Sequence, residues 1–339
     1  IPQAASTVQC KKGRRIEAAA AATTETGSQH PRRRFRGIAR MSNPLHAEYY
    51  ADHATWHRSP IVENVQIAED TFRLRVPCAS LAERIVPGQF VMIRIARRQD
   101  PLLARPLALY DTYHEHGRAA GIDVVYLVKG KLTTQLQRCR AGDDVEIWGP
   151  LGNGFSPSPV EHLIMVAGGI GQTPFLALGA EFLGRKTYGL PTRNVPAARR
   201  VTLCYGARRA SMLAGVDDFR QAGFDVRIAT DDGSQGYHGL VTDLLRQTLA
   251  EPPNSAPAGS ESAGNRRIVC CGPEPMMAAV SAIARETQTK CQVSLETPMA
   301  CGIGICFTCV ARVRDAAGEW DYKRTCVDGP IFDSEKIEW

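Results

Sequence analysis

The chain has 339 residues, which at roughly 150 residues per domain is enough for two or three domains. Hydrophobic residues make up 44% and charged residues 22%, ordinary globular usage that excludes wholesale disorder. The formal charge of +6 is unevenly placed: nine Lys/Arg against Glu17 and Glu25 give residues 1–40 a balance of +7, and the other 32 basic and 33 acidic residues leave −1. The part able to fold is neutral, which argues against a nucleic-acid surface.

Residues 1–40 combine an alanine run, Ala18 to Ala22, with scattered Ser, Thr and Gln and few large apolar residues. They read as a disordered basic tail, within an extension expected to cover 1–58. Glu17 and the absence of a leucine-rich core argue against a secretory signal. An Arg-rich transit peptide and a start site placed upstream of Met41 both remain open. No stretch reaches the about 18 apolar residues needed to span a bilayer, and the longest, around Leu163 to Ile170, carries glycines. A soluble protein without membrane contact is expected.

From Ser59 to about Phe155 the pattern is β-rich: IVENVQI, TFRLRV, QFVMIRI, IDVVYLVK and DVEIWG alternate or run apolar over strand lengths. Turn signals at Glu69-Asp70, Pro87-Gly88, Gly142-Asp143 and Gly149-Pro150 separate them. A small antiparallel barrel over 59–158 is predicted, with a helix only at Leu132 to Arg138.

The period then changes. LIMVAGG, VTLCYG, FDVRIAT and RIVCCG read as buried strands, and helices are predicted from Pro174, over Gly239 to Leu249 and over Pro275 to Arg285. Strands alternating with helices predict a parallel, doubly wound α/β domain over 159–290. Pro191 to Arg200 and Glu251 to Asn265 read as surface loops. Glycine and cysteine concentrate in 291–339, a segment too short to build a core unaided, so an inorganic cofactor is expected there.

Eleven cysteines are present, and most stand alone at strand-like positions such as Cys204, as small core residues do in a reducing cytosol. The exception is Cys301-Gly-Ile-Gly-Ile-Cys306-Phe-Thr-Cys309, followed after sixteen residues by Cys326. This C-x4-C-x2-C…C spacing is the plant-type [2Fe–2S] arrangement. Four thiolates must converge on two irons, and Gly302 and Gly304 let the loop bend around them. Zinc would ordinarily show paired C-x2-C elements or histidines, and no histidine follows Cys291.

Gly168-Gly169-Ile170-Gly171-Gln172-Thr173-Pro174 lies between a predicted strand and helix, where a glycine turn lets a pyrophosphate reach backbone amides. The spacing departs from G-x-G-x-x-G, and a plain tight turn is an equal reading. Cys271-Gly272 forms a second glycine turn, with Cys271 either near a nicotinamide or simply packed. Arg105 at the head of RPLALY could clamp a pyrophosphate or sit on the surface. No catalytic triad or carboxylate pair can be assembled, so no catalytic side chain is predicted.

Together RPLALYD, YLVKGKLTTQL, GPLGNGF, VAGGIGQTP, TDDGSQGYHGLVTDLL, CGPEPMM, SLETPMACGIGICFTCV and RTCVDGPIFD resemble the ferredoxin-NADP reductase superfamily, and within it the electron-transfer subunits of class 1B dihydroorotate dehydrogenases. The resemblance implies FAD, a [2Fe–2S] cluster and NAD as cofactors. It implies that Arg105, Pro106, Leu107 and Ala108 match the flavin-binding stretch, that Tyr126, Leu127 and Val128 lie on a strand along the flavin, and that Thr133 and Thr134 match a phosphate turn. Gly168, Gly169, Gly171, Cys271 and Gly272 would serve the nicotinamide, and Cys301, Cys306, Cys309 and Cys326 the cluster. Ala108 stands where serine is usual and Leu132 where glycine is usual. The implied partner is an FMN-containing catalytic subunit that oxidises dihydroorotate, in a heterotetramer of two of each, in pyrimidine biosynthesis.

Two other readings stay open: a reductase subunit of a hydrogenase or ferredoxin-linked oxidoreductase, and an iron–sulfur module without electron transfer. Some relatives of the first kind place an aspartate among the cluster ligands, whereas all four positions here are cysteine. The dinucleotide is also open. Arg208 and Arg209, after VTLCYG, would welcome the 2′-phosphate of NADP or point to solvent, while the resemblance implies NAD.

Overall fold

The computed structural model describes residues 51–252 and 265–339. The tail up to residue 50 and most of the Glu251 to Asn265 insert lie outside the described residues. The chain opens with a 3₁₀ turn, Ala51–His53, and seven antiparallel strands: β1 (Thr55–Pro60), β2 (Glu63–Ala68), β3 (Thr71–Pro77), β4 (Phe90–Ile95), β5 (Arg105–Glu115), β6 (Arg118–Leu127) and β7 (Asp144–Leu151). Their order is β1-β7-β4-β5-β6-β3-β2. The two edges are one continuous stretch of chain, because β1 runs into β2 through Ile61-Val62, and Val62 N–H donates to the Arg75 carbonyl of β3 at 3.0 Å. The sheet therefore curls around an interior of alternating apolar residues, including Ile61, Leu74, Val91, Ile93, Ile122, Val124 and Ile147. Two short helices plug it, α1 (Ala79–Ala82) and α2 (Lys131–Leu136).

The second half is a sheet with helices on both faces. It contains β8 (His162–Gly168), α3 (Phe175–Phe182), β9 (Arg200–Ala207), α4 (Val216–Gln221), β10 (Asp225–Thr230), β11 (Tyr237–His238), α5 (Val241–Ala250), β12 (Arg266–Cys271), α6 (Glu274–Glu286) and β13 (Lys290–Ser294). The order β11-β10-β9-β8-β12-β13 is parallel throughout and reverses its winding between β8 and β12. Open α/β sheets bind ligands at such a switch point, outside the carboxyl ends of the strands. Barrel and α/β sheet share a core: Tyr110 and Val125 of the barrel are buried among Leu163, Met165, Leu203 and Phe219. Tyr110 Oη donates to Asp218 Oδ2 at 2.7 Å, and Lys186 and Tyr188 both donate to Asp111 Oδ1.

The last segment forms an antiparallel ribbon, β14 (Val310–Arg314) and β15 (Trp320–Arg324), then returns to the sheet as β16 (Ile331–Asp333), antiparallel to β13.

Several boundaries move from the sequence expectation. The extension expected over 1–58 is a strand by Thr55; Trp56, His57 and Arg58 hid it, because an edge strand with one buried residue reads as polar. The sheet continues past residue 290, since Cys291 and Val293 of β13 are buried against β12. Helix α1 was not expected, and Pro174 caps α3 rather than opening it. The 191–200 loop is not wholly superficial: Arg193 pairs with the buried Glu181 and donates to the Phe155 carbonyl at 2.8 Å.

Candidate functional site

The four clustered cysteines lie on one loop and the end of β15. Gly302 at φ +74° and Gly304 at φ +81° take the loop through conformations that other residues rarely adopt. Thr325 ties its two arms together, donating from N and Oγ1 to the Cys309 carbonyl at 2.8 and 3.0 Å. Cys309 and Cys326 are buried, Cys301 is half-buried and Cys306 is exposed. The four thiols perturb one another, Cys301 acting on both Cys306 and Cys326, and Cys326 on Cys309. Burial pushes the Cys306 thiol up, but hydrogen bonds from Thr308 and Cys301 outweigh it and hold it low. Cys309 is held low by the Cys326 thiol, which is itself pushed up. Among the described residues, no three His, Cys, Asp or Glu side chains converge on a single ion. Four mutually interacting thiols at this spacing suit a two-iron cluster, and no histidine or second C-x2-C element joins them as zinc sites ordinarily show.

This loop is seated on the barrel. Met299, Cys309, Cys326 and Val327 are buried with Phe90, Met92, Ala104 and Leu151, and Trp148 Nε1–H donates to the Cys301 carbonyl at 3.1 Å. Ala104 immediately precedes Arg105, Pro106, Leu107 and Ala108, so the cluster loop abuts the head of β5. These four residues occupy a central strand, paired with Ile93 to Phe90 of β4, yet all stay half-buried. Leu127 and Val128, at the end of the next strand, are likewise half-buried. Leu107 and Val128 pack against the barrel core from this stretch, which as a whole keeps part of its surface exposed. The Arg105 guanidinium lies at one end, donating to the Leu103 and Ala104 carbonyls at 3.2 and 3.0 Å.

Tyr126 does not share this partial exposure. Its ring is buried in the barrel, stacked on Phe72 with centroids 5.7 Å apart, and its hydroxyl donates to Asn64 Oδ1 at 2.9 Å. Thr133 caps its own helix, accepting at Oγ1 from Lys129 N and Gly130 N at 3.0 and 3.1 Å, while Thr134 is exposed. Leu132, unusual for that turn, fills the core at 1% exposure.

The glycine turns meet at the switch point. Cys271 pairs with Ala167 across β12 and β8, which brings Gly272 against Gly168. A Cβ on Gly171 would stand 2.2 Å from the Cys271 carbonyl oxygen, and one on Gly272 would stand 3.0 Å from Gly168 N. The two turns thus touch through their backbones, with open space at Gly169, whose φ is +55°. Cys271 is partly exposed, and desolvation, with Glu296 adding, pushes its thiol up to about 12, so it is no thiolate at neutral pH. Gln172, which the sequence offers only as part of the glycine turn, is wholly buried, and neither its Oε1 nor its Nε2 has a hydrogen-bond partner. Arg208 is exposed, and Arg209 is paired with Glu69 of the barrel.

The described residues contain no helix long and apolar enough to cross a membrane. Three family models match: an oxidoreductase FAD-binding domain over 58–155, an oxidoreductase NAD-binding domain over 165–282, and the iron-sulfur cluster binding domain of dihydroorotate dehydrogenase B over 296–338. The dihydroorotate dehydrogenase B (NAD(+)) electron transfer subunit of Desulforamulus reducens is 32% identical over 274 residues, 80% of this chain and 94% of that one. The subunit of the same name from Geobacillus thermodenitrificans is 34% identical over 284 residues, 83% of this chain and 97% of that one. A solved structure of an NADH-dependent reduced ferredoxin-NADP oxidoreductase is 30% identical, with a TM-score of 0.65 over 83% of this chain and 90% of that one. The expected fold and its FAD, NAD and iron–sulfur modules are all found, and the chain belongs to the dihydroorotate dehydrogenase B (NAD(+)) electron transfer subunit family.

Proposed function

We propose that this chain carries electrons from an FMN-containing, dihydroorotate-oxidising partner subunit to NAD+, in a cytoplasmic heterotetramer of two of each subunit. The observation that carries the reading is the seating of the cysteine loop on Ala104, directly before Arg105–Ala108, in a chain that also holds the glycine turns. Cysteine loop, flavin stretch and glycine turns then lie in one compact unit.

Cys301, Cys306, Cys309 and Cys326 would hold the cluster, with Trp148 fixing the loop through the Cys301 carbonyl. Arg105 would turn from its own loop carbonyls to the FAD pyrophosphate, with Pro106, Leu107 and Ala108 and the outward backbone of Tyr126, Leu127 and Val128 lining the ring. Thr134 and the Thr133 amide would serve the phosphate end. Gly168, Gly169, Gly171, Cys271 and Gly272 would take the nicotinamide dinucleotide by its backbone-facing edge. FAD, when bound, exchanges single electrons on one side and a hydride on the other. The chain's own part is orientation and exclusion of water, since the Cys271 thiol at these turns stays protonated at neutral pH. The ten described cysteines are all free, as a reducing compartment requires.

The likeness to the ferredoxin-linked oxidoreductase keeps one alternative donor, a reduced ferredoxin. Purified chain mixed with a dihydroorotate-oxidising subunit should give dihydroorotate-dependent NAD+ reduction. Absence of that activity, together with ferredoxin-dependent NAD+ reduction, would establish the alternative.

A further inference from the structure

Arg324 closes β15 two residues before Cys326, and its guanidinium lies against the cysteine loop rather than in solvent, with 11% of the side chain exposed. Nη1–H donates to the Gly304 carbonyl at 2.9 Å, in the stretch between Cys301 and Cys306. Cζ sits 5.1 Å from the centre of the Phe307 ring, in the stretch between Cys306 and Cys309. Phe307 holds φ +56°, a conformation rare for a bulky residue. Beyond Cys326, Asp328 Oδ2 accepts from Arg324 N at 2.8 Å and lies 3.5 Å from its Nε. One side chain, itself in the third stretch between the cysteines, thus touches the other two.

Those contacts also place a charge. Residues 297–311 carry no charged side chain, so the loop has no ion of its own. Arg324 brings a permanent positive charge to it, and near-burial keeps water from screening that charge as it screens a surface arginine's. Asp328 opposes it only in part, from a distance longer than a charge-assisted hydrogen bond. Gly304 links the guanidinium to the sulfurs: its carbonyl is held by Arg324, and its backbone is bonded to the Cys326 thiol. Net charge and hydrogen bonds to sulfur are what tune an iron–sulfur cluster. One electron entering a cluster held by four thiolates adds one negative charge to it. A fixed cation beside the loop favours the form with the extra charge, and an anion there disfavours it.

We infer that Arg324 is the positioning residue that sets the reduction potential of the cluster, holding the Gly304 peptide in place and supplying the positive charge, with Asp328 as its counterweight. The inference rests on the cluster reading of the four cysteines and goes beyond it, because Arg324 is not among the ligands.

An EPR-monitored redox titration of the FAD-loaded full chain, with iron and labile sulfide assayed alongside, tests it without turnover. Arg324→Gln should lower the potential by roughly tenfold in the equilibrium constant for reduction, or about 59 mV for one electron. Arg324→Lys keeps the charge without the planar fork and should stay closer to wild type than to Arg324→Gln. Asp328→Asn keeps an oxygen to accept from Arg324 N and should raise the potential, by roughly threefold in the same constant. That variant keeps the test decisive if Arg324→Gln loses its iron. A potential unchanged in Asp328→Asn and in every iron-replete Arg324 variant overturns the inference and leaves the cluster reading intact. Equal falls in Arg324→Gln and Arg324→Lys overturn the role of the charge. A wild type without iron or a reduced-cluster EPR signal overturns the inference and the cluster reading together.

Discussion

At the cysteine loop the proposed chemistry rests on four thiols and the glycines only bend the chain, Gly302 meeting nothing firmer than the Met92 side chain and Leu151. At the glycine turns the proportions reverse. Side chains are removed so that two turns can touch through their backbones, and Gly171 lies against the Cys271 carbonyl itself. The first site is specified by residue type, the second by the lack of one. Substitutions should therefore fail differently: chemically at the loop, sterically at the turns.

The largest effect is expected at the loop. Cys306→Ser should lose the cluster while retaining FAD, because the cysteine is exposed and leaves the barrel packing untouched. Iron, labile sulfide and flavin absorbance are the measurements, and full iron content would remove Cys306 from the ligand set. Next comes a paired glycine test. Gly171→Ala meets a carbonyl that cannot swing away and should cost about 3 kcal/mol, the upper end for overpacking, with loss of dinucleotide binding. Gly302→Ala meets a flexible side chain and should cost about 1 kcal/mol, mostly from its positive φ. Equal costs in chemical denaturation would erase the contrast between the sites.

A third test uses the far end of β8, the strand that runs to the glycine turns. His162 is buried there, Nε2 2.8 Å from Thr202 Oγ1. Burial first, then Arg200 and Arg266, lower its pKa from 6.5 to about 4. The unfolded chain takes up this proton near pH 6.5 and the folded chain does not, so the contribution is complete above that pH. It is lost as pH falls toward 4, by about 3 kcal/mol. His162→Gln should flatten that part of the urea stability profile, and an undiminished slope would assign it elsewhere. The smallest effect is at Gln172. Gln172→Leu removes two buried, unpartnered polar atoms at nearly constant volume and should raise stability by about 1 kcal/mol. A lower melting temperature would show that the amide has a partner when dinucleotide is bound.

The same contrast explains what the sequence disclosed. Four cysteines at a set spacing announce their chemistry, and the change from two-residue to helical period located the barrel and the α/β domain without tertiary information. Backbone sites were legible only as glycine turns of uncertain purpose, because Gly171 acquires its meaning from Cys271, a hundred residues on. The resemblance assigns Tyr126 to a strand along the flavin, and strand alternation turns its ring inward to Asn64. The Arg208-Arg209 pair looked uniform until a barrel residue distinguished them. The edge strand β1, polar but for one buried residue, carries almost no hydrophobic signal.

The return of β16 to the sheet has a consequence for how such chains can be built and cut. Its pairing with β13 runs from Gln292–Asp333 to Ser294–Ile331, and Asn153 of the barrel clamps Ile331 from both sides at 2.8 and 2.9 Å. The cysteine segment leaves the sheet and comes back to it, like a handle riveted at both ends. Shearing it off would strip a parallel sheet of its outer strand and expose an unpaired edge ready to recruit another chain. A reductase of this design cannot shed its iron–sulfur portion as a linear appendage is shed: loss of the metal and loss of the segment are separate events with separate fates.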